Sequence, residues 1–221
     1  MNDKLYVFGG FIPEPGNPRN RWNYMSKETW CWTPAVVGER DGSWTQLSDM
    51  QASFDGTTHM GNTADVENGI IYLTGGLVLP PGETQFKDAE GGTTFFAYHV
   101  DTDEWEVLPS ANEDGTGPGA IGAGGASFVN GELHIFAGAT SVAPVNIFTD
   151  SEPIKEDLQS HHWALNVANM TWRQLEGPKI TRNHISVASV GDEIYAVGGQ
   201  VLRFEGCAIE AVVVIVDSIT E

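Results

Sequence analysis

Short runs of β-branched and aromatic residues, each stopped by glycine, recur along the chain. "KLYVFGG" covers Lys4–Gly10, "IIYLTGG" Ile70–Gly76, "LHIFAGA" Leu133–Ala139 and "EIYAVGG" Glu193–Gly199. Aligned on Gly9, Gly75, Gly138 and Gly198, they step by 66, 63 and 60 residues. Such runs favour a pleated strand, and a fixed period of this kind governs any local reading. In this register Ala139 stands where the third unit should carry its second glycine.

A second strand precedes three of the runs across a tight turn. Asn68-Gly69 and Asn130-Gly131 supply the two residues that tolerate the positive φ of a hairpin turn, and Gly191-Asp192 supplies the reverse order. These paired strands are a and b. Downstream, "FFAYHVDTDEWEVLP" (Phe95–Pro109) and "HWALNVANMTWRQLEGP" (His162–Pro178) each read as strand c, a turn and strand d, and "GSWTQLSDM" (Gly42–Met50) gives strand d of the first unit. Trp44, Trp105 and Trp172 each open a W-x-x-L in strand d. A tryptophan at one place in every unit suits a wedge between neighbouring twisted sheets, because its large apolar area fills the gap. Four antiparallel strands per repeat make a β-propeller blade. Glycine after strand b lets crowded backbones approach.

The pattern resembles the kelch-repeat propellers, the superfamily that includes the galactose oxidase propeller. Gly75-Gly76, Tyr98, Asp101 and Trp105 match the repeat in the second unit, Gly9-Gly10 and Trp44 in the first, Gly138, Asn166 and Trp172 loosely in the third, and Gly198-Gly199 in the fourth. "VDSIT" (Val216–Thr220) resembles a strand c ending. The resemblance implies an all-β kelch-type propeller of four-stranded antiparallel blades. It forms one domain over 1–221, with repeats at roughly 1–50, 51–110, 120–178 and 182–221. The first unit lacks strand a and the last lacks strand d, so the expectation is an excerpt of a larger propeller or an open four-blade arc, and an open arc exposes strand edges and apolar faces to self-association.

Composition narrows the partners. The 221 residues carry 11 basic and 30 acidic side chains, a formal charge of −19. That field repels nucleic-acid phosphates and anionic membranes, so neither is expected as a partner. No apolar run reaches the length of a membrane helix, and no signal peptide is visible. The two cysteines, Cys31 and Cys207, lie far apart and fit no zinc spacing. Copper oxidase chemistry lacks its Tyr, Cys and His set here. Propeller folds host many activities, so function rests on the site.

Meandering strands send the b–c and d–a connections to one rim and the short a–b and c–d turns to the other. The b–c connections are long, roughly 20 residues or more in three units, and long loops on a rigid scaffold are where binding or catalysis sits. The first loop (Phe11–Trp32) offers Trp22, Tyr24 and Trp30 beside Arg19 and Arg21, able either to grip a sugar or peptide or to pack the loop onto its own blade. Glu83, Asp88 and Glu90 in the second loop read as a solvated acidic segment. The third carries Asp150, Glu152, Glu156, Asp157, His161 and His162. On a helical turn over Ile154–Ser160, Asp157 and His161 share one face, and with Glu152 they form a candidate site for a divalent metal. Asp157-x3-His161 also matches half of the Glu-x3-Asp-x3-His iron motif of plant specifier proteins, with Pro153 where the Glu belongs. His59 and His184 head two a strands beside Arg182, where they would bind an anion, perform acid–base work or hydrogen-bond a neighbouring blade. The expected role is a binding module for a protein or carbohydrate. The alternative is a metal-assisted or acid–base enzyme using Asp157, His161, His59 and His184. No cofactor other than that divalent metal is expected.

Overall fold

The computed structural model describes residues 1, 3–12, 24–35, 41–50, 57, 60–79, 89–140, 160–179, 181–199, 201–203, 206–208 and 213–216. All regular structure in these residues is β-strand. Blade 1 is a three-stranded sheet of β1 (Leu5–Phe8), β4 (Thr29–Thr33) and β5 (Ser43–Gln46). Blade 2 has four strands, β6 (Gly61–Asp65), β7 (Ile70–Thr74), β10 (Phe95–His99) and β11 (Glu104–Leu108). Blade 3 repeats the plan with β12 (Gly125–Val129), β13 (Glu132–Phe136), β14 (His162–Asn166) and β15 (Thr171–Leu175). Blade 4 has three, β16 (Ser186–Val190), β17 (Glu193–Val197) and β20 (Val213–Val216). Every pairing is antiparallel. The strand counts of three, four, four and three match those read from the repeat.

Three small hairpins decorate this frame: β2 (Phe11–Ile12) with β3 (Tyr24–Met25), β8 (Leu77–Val78) with β9 (Glu90–Gly91), and β18 (Val201–Arg203) with β19 (Gly206–Ala208). All three lie in b–c connections. Strand c of blade 1 starts at Thr29, inside the segment expected to be loop, so Trp30 belongs to the blade. Its indole donates to Glu28 Oε2 at 2.9 Å.

The tryptophans act as wedges. Trp172 is 4% exposed, lies 5.2 Å from the Phe95 ring of blade 2 and donates its indole N–H to the Pro109 carbonyl at 2.7 Å. Trp105 does the same one blade earlier, against Phe8 at 5.5 Å and the Ser48 carbonyl at 2.9 Å. Asp103, on the turn before it, accepts from the Ser48 amide at 2.9 Å and from Tyr98 Oη at 2.7 Å. Each indole, buried at Trp172 and half-buried at Trp105, therefore adds a directed bond to its apolar area. Trp44, at the same position of blade 1, is 53% exposed. Leu5 and Val7 on β1 of the same blade and Val197 on blade 4 are also exposed, so both ends of the arc present apolar side chains.

Two local expectations change. The third glycine phrase shifts by one: β13 ends at Phe136, and Ala137 takes the first turn position at φ 52°, matching Gly9 at 60° and Gly75 at 57°. Gly138, at 98°, is the second turn residue, like Gly10 at 100° and Gly76 at 98°. Ala139 lies beyond the motif, and the true steps are 66, 62 and 61 residues. The turn into β7 also differs. It spans Val66–Gly69, four residues, because the Asp65 carboxylate accepts from the amide and the Nδ2 of Asn68 and widens the loop. Asn130-Gly131 does form the two-residue turn, with φ 51° and 77°.

Candidate functional site

In the first three units the second turn glycine ties its blade to the next. The amide of Gly10 donates to the Thr57 carbonyl at 2.8 Å, that of Gly76 to Ile121 at 2.8 Å, and that of Gly138 to Arg182 at 2.9 Å. At Gly75 a Cβ would collide with the Ile121 carbonyl, so glycine is required at that turn, whereas blade 3 accommodates Ala137 at the equivalent place. Thr57, Ile121 and Arg182 are thus one structural position, on the lead-in to strand a, and all three are buried.

Their side chains differ. Ile121 joins the apolar core between blades 2 and 3, and Thr57 Oγ1 donates to the Leu77 carbonyl at 3.0 Å. Arg182 is 2% exposed and donates Nη1 to the Gly198 carbonyl at 2.7 Å, while its Nε and Nη2 are buried without a partner among the described residues. Two residues on, His184 is exposed at φ 51°, its amide bound to the Ala123 carbonyl at 2.7 Å. On the other side of the Ala137-Gly138 turn, the Ala137 amide donates to the His161 carbonyl at 3.0 Å. His161 Nε2 is buried without a partner among the described residues, and burial pushes its pKa below the usual imidazole value. The fold therefore gathers Arg182, His184 and His161 around one rim. Arg21, Trp22, His59, Glu152 and Asp157 lie outside the described residues, and Tyr24 begins β3 on the same connection as Trp22. Among the described residues no three His, Cys, Asp or Glu side chains are grouped to hold a metal.

A second polar cluster was not legible in advance. His134 Nδ1 and His162 Nε2 lie 2.8 Å apart, both rings buried on the face of blade 3 that turns toward blade 4. His162 Nδ1 donates to the Glu176 carbonyl at 3.3 Å, so its Nε2 accepts from His134. His134 Nε2 then lies 3.7 Å from the Glu132 carboxylate, which Arg173 clamps through Nε and Nη2. The carboxylate favours a charged His134, but burial outweighs it and holds that pKa at about 4. Burial and the neighbouring ring hold His162 at about 3. Both rings are neutral at pH 7. The signal was present in the register, since His134 stands where the other b strands have Tyr6, Tyr72 and Tyr195.

No family model matches the chain. It is 26% identical over 200 residues to the Kelch-like protein terF of Aspergillus terreus, covering 90% of the chain and 37% of that protein. It is 26% identical over 202 residues to the human Kelch domain-containing protein 10, covering 90% and 40%. The solved structure of YjhT superposes with a TM-score of 0.59 at 14% identity, over 90% of the chain and 54% of that structure. The chain is a kelch-repeat β-propeller, present here as a four-blade arc. It spans about two fifths of the length of the curated kelch relatives it matches. Another relative, the N-acetylneuraminate epimerase of Pasteurella multocida, is 30% identical over 161 residues, 70% of the chain and 38% of that protein.

Proposed function

We propose that this kelch arc is a recognition module for a protein or carbohydrate, with the b–c rim as its binding surface. One observation carries the reading: three b–c connections build hairpins of their own outside the blade sheets. Extra ordered structure on one rim suits a surface shaped for a ligand, since connections in compact domains are otherwise short. Trp22, Tyr24 and Arg21 belong to the first such connection and supply an aromatic and cationic grip.

The test is a screen of the purified chain on peptide and glycan arrays, followed by Trp22→Ala and, on the opposite rim, Val66→Ser. The expected outcome is a ligand whose binding drops at least about tenfold with Trp22→Ala, a loss of about 1.4 kcal/mol, and is unchanged with Val66→Ser. Equal loss in both variants, or no ligand on either array, rejects the reading.

The relative named as an N-acetylneuraminate epimerase favours a second reading, an acid–base enzyme on an acidic sugar using His161 and His184, with His59 and Asp157 from the neighbouring connections. Incubation with N-acetylneuraminate, followed by NMR of its epimer composition, tests it. An unchanged composition removes it.

A further inference from the structure

Blades 2, 3 and 4 each carry an inner strand a, β6, β12 or β16, paired with strand b. These inner strands also pack on one another, β6 on β12 and β12 on β16. On blade 1 strand b is β1, and beside it lies a groove of about 540 Å³ between blades 1 and 2. Tyr6 and Phe8 wall the groove on one side, and Met60, Ala64, Ile71 and Leu73 on the other. The backbone edge of β1 is open. The Gly9 amide donates to the Glu28 carbonyl at 3.0 Å, toward β4, and the Gly10 amide to the Thr57 carbonyl at 2.8 Å, away from it. The polar groups of successive strand residues alternate sides, so Phe8 and Tyr6 turn theirs away from β4. Among the described residues no strand pairs with them there.

We propose that blade 1 binds the C-terminal tail of another protein by strand addition, as an extended segment paired antiparallel with β1 whose inward side chains enter the groove. The chain's own inner strands define the chemistry of that tail. β6, β12 and β16 open on Gly61, Gly125 and Ser186, each opposite the residue equivalent to Phe8. A Cβ on either glycine would strike the next blade, so the first residue of the tail is small. The side chains that follow on the same face are compact: Thr63 and Asp65, Ser127 and Val129, Ala188 and Val190. Charge sets the direction. Antiparallel pairing brings the C-terminal end of the tail to Lys4, an exposed cation that lines the groove. No carboxylate among the described residues lines it, in a chain whose formal charge is −19. A terminal carboxylate therefore meets a local cation, whereas further acids on the tail meet long-range repulsion. The groove runs along β1 rather than over the b–c loops, so this inference is independent of the rim reading.

The experiment adds the peptide acetyl-Lys-Lys-Gly-Ala-Ser-Phe-Val, the β12 sequence behind a pair of lysines, to 15N-labelled protein, with its C-terminus free or amidated. Hydrogen exchange at the Tyr6 and Phe8 amides is expected to slow at least about tenfold at saturation, because strand pairing engages them directly. The free acid binds about threefold tighter than the amide, and Lys4→Gln abolishes that preference. Ala64→Trp fills the groove from a half-buried position and weakens both peptides at least about tenfold. Trp44→Ser, at an exposed site of the same blade, and Trp22→Ala leave binding unchanged. Binding without slower exchange at Tyr6 and Phe8, or no binding of either peptide, overturns the proposal. So does loss of binding with Trp22→Ala, which moves the peptide to the rim. Protection of the two amides before peptide is added also overturns it, and a dimer in sedimentation then assigns the edge to a second copy of the chain.

Discussion

Tyr72 and Phe95 on blade 2 occupy the places that His134 and His162 take on blade 3. The first pair faces a junction closed by apolar area: Tyr72 stacks on Phe128 at 5.0 Å, Phe95 meets Trp172, and Leu133, Ile135 and Leu165 complete the layer. The second pair faces the junction of Phe136, Ile185, Ile194 and Ala196, with His162 stacked on Phe136 at 4.1 Å. The backbone is the same in both, so register alone does not dictate chemistry. Imidazoles replace aromatic rings by pairing with each other and staying neutral. The cost is a junction whose strength follows pH, where its neighbour's does not.

The largest test of this contrast is the wedge. Trp172→Ala should lower the unfolding free energy by about 3–5 kcal/mol, because it empties the packed junction between blades 2 and 3 and strands the Pro109 carbonyl. Trp44→Ala, at the equivalent but exposed place, should change it by less than about 0.5 kcal/mol. Urea titration of the two variants makes the comparison, and equal losses would show that the apolar junction is not the stronger tie.

Acid is the next probe. Both buried histidines have folded pKa values below the unfolded 6.5, at about 4 and about 3. The unfolded chain therefore binds more protons below pH 6.5, and stability falls as pH drops from there toward 4. Between pH 7 and 5 the loss is about 2–4 kcal/mol for the pair. Glu132, held below the usual carboxylate range by Arg173, contributes the same sign of change but only below about pH 4.5, where the unfolded carboxylate takes up its proton. The double variant His134→Tyr, His162→Phe restores the blade 2 pair and should flatten the pH 7-to-5 profile. A profile as steep as before would place the acid sensitivity elsewhere.

The smallest effect concerns the turn that joins the two junctions. Ala137 holds a left-handed φ of 52° where three other turns use glycine. Ala137→Gly removes that strain at the expense of a freer unfolded chain, and should stabilise by up to about 1 kcal/mol. Denaturant midpoints measure it, and destabilisation would mean that the methyl packing of this fully buried residue matters more than its backbone.

The blades were legible because strand runs, double glycines and a repeated tryptophan all follow from local sterics and apolar pattern. The one-residue slip at Ala137 arose because "AGA" offers the glycine turn in two registers, and only the end of β13 chooses between them. The segment holding Trp30 reads as loop from sequence because a stretch rich in proline and aromatics hides where pairing with β1 resumes. Arg182 and His184 were marked as site residues from their place before strand a, and the structure separates them into a buried cation and an exposed ring. His134 stands out in the register of the b strands, but only the pairing of β13 with β14 brings its imidazole to His162.

Sequence alone determined the period, the strand order and the wedge positions, because each depends on the shape and polarity of residues close in the chain. The tertiary structure decided which charges lost their water. Whether Arg182 faces a counter-charge, or His134 another imidazole, depends on which distant strand packs above it, and desolvation acts through those neighbours rather than through the residues beside it in sequence.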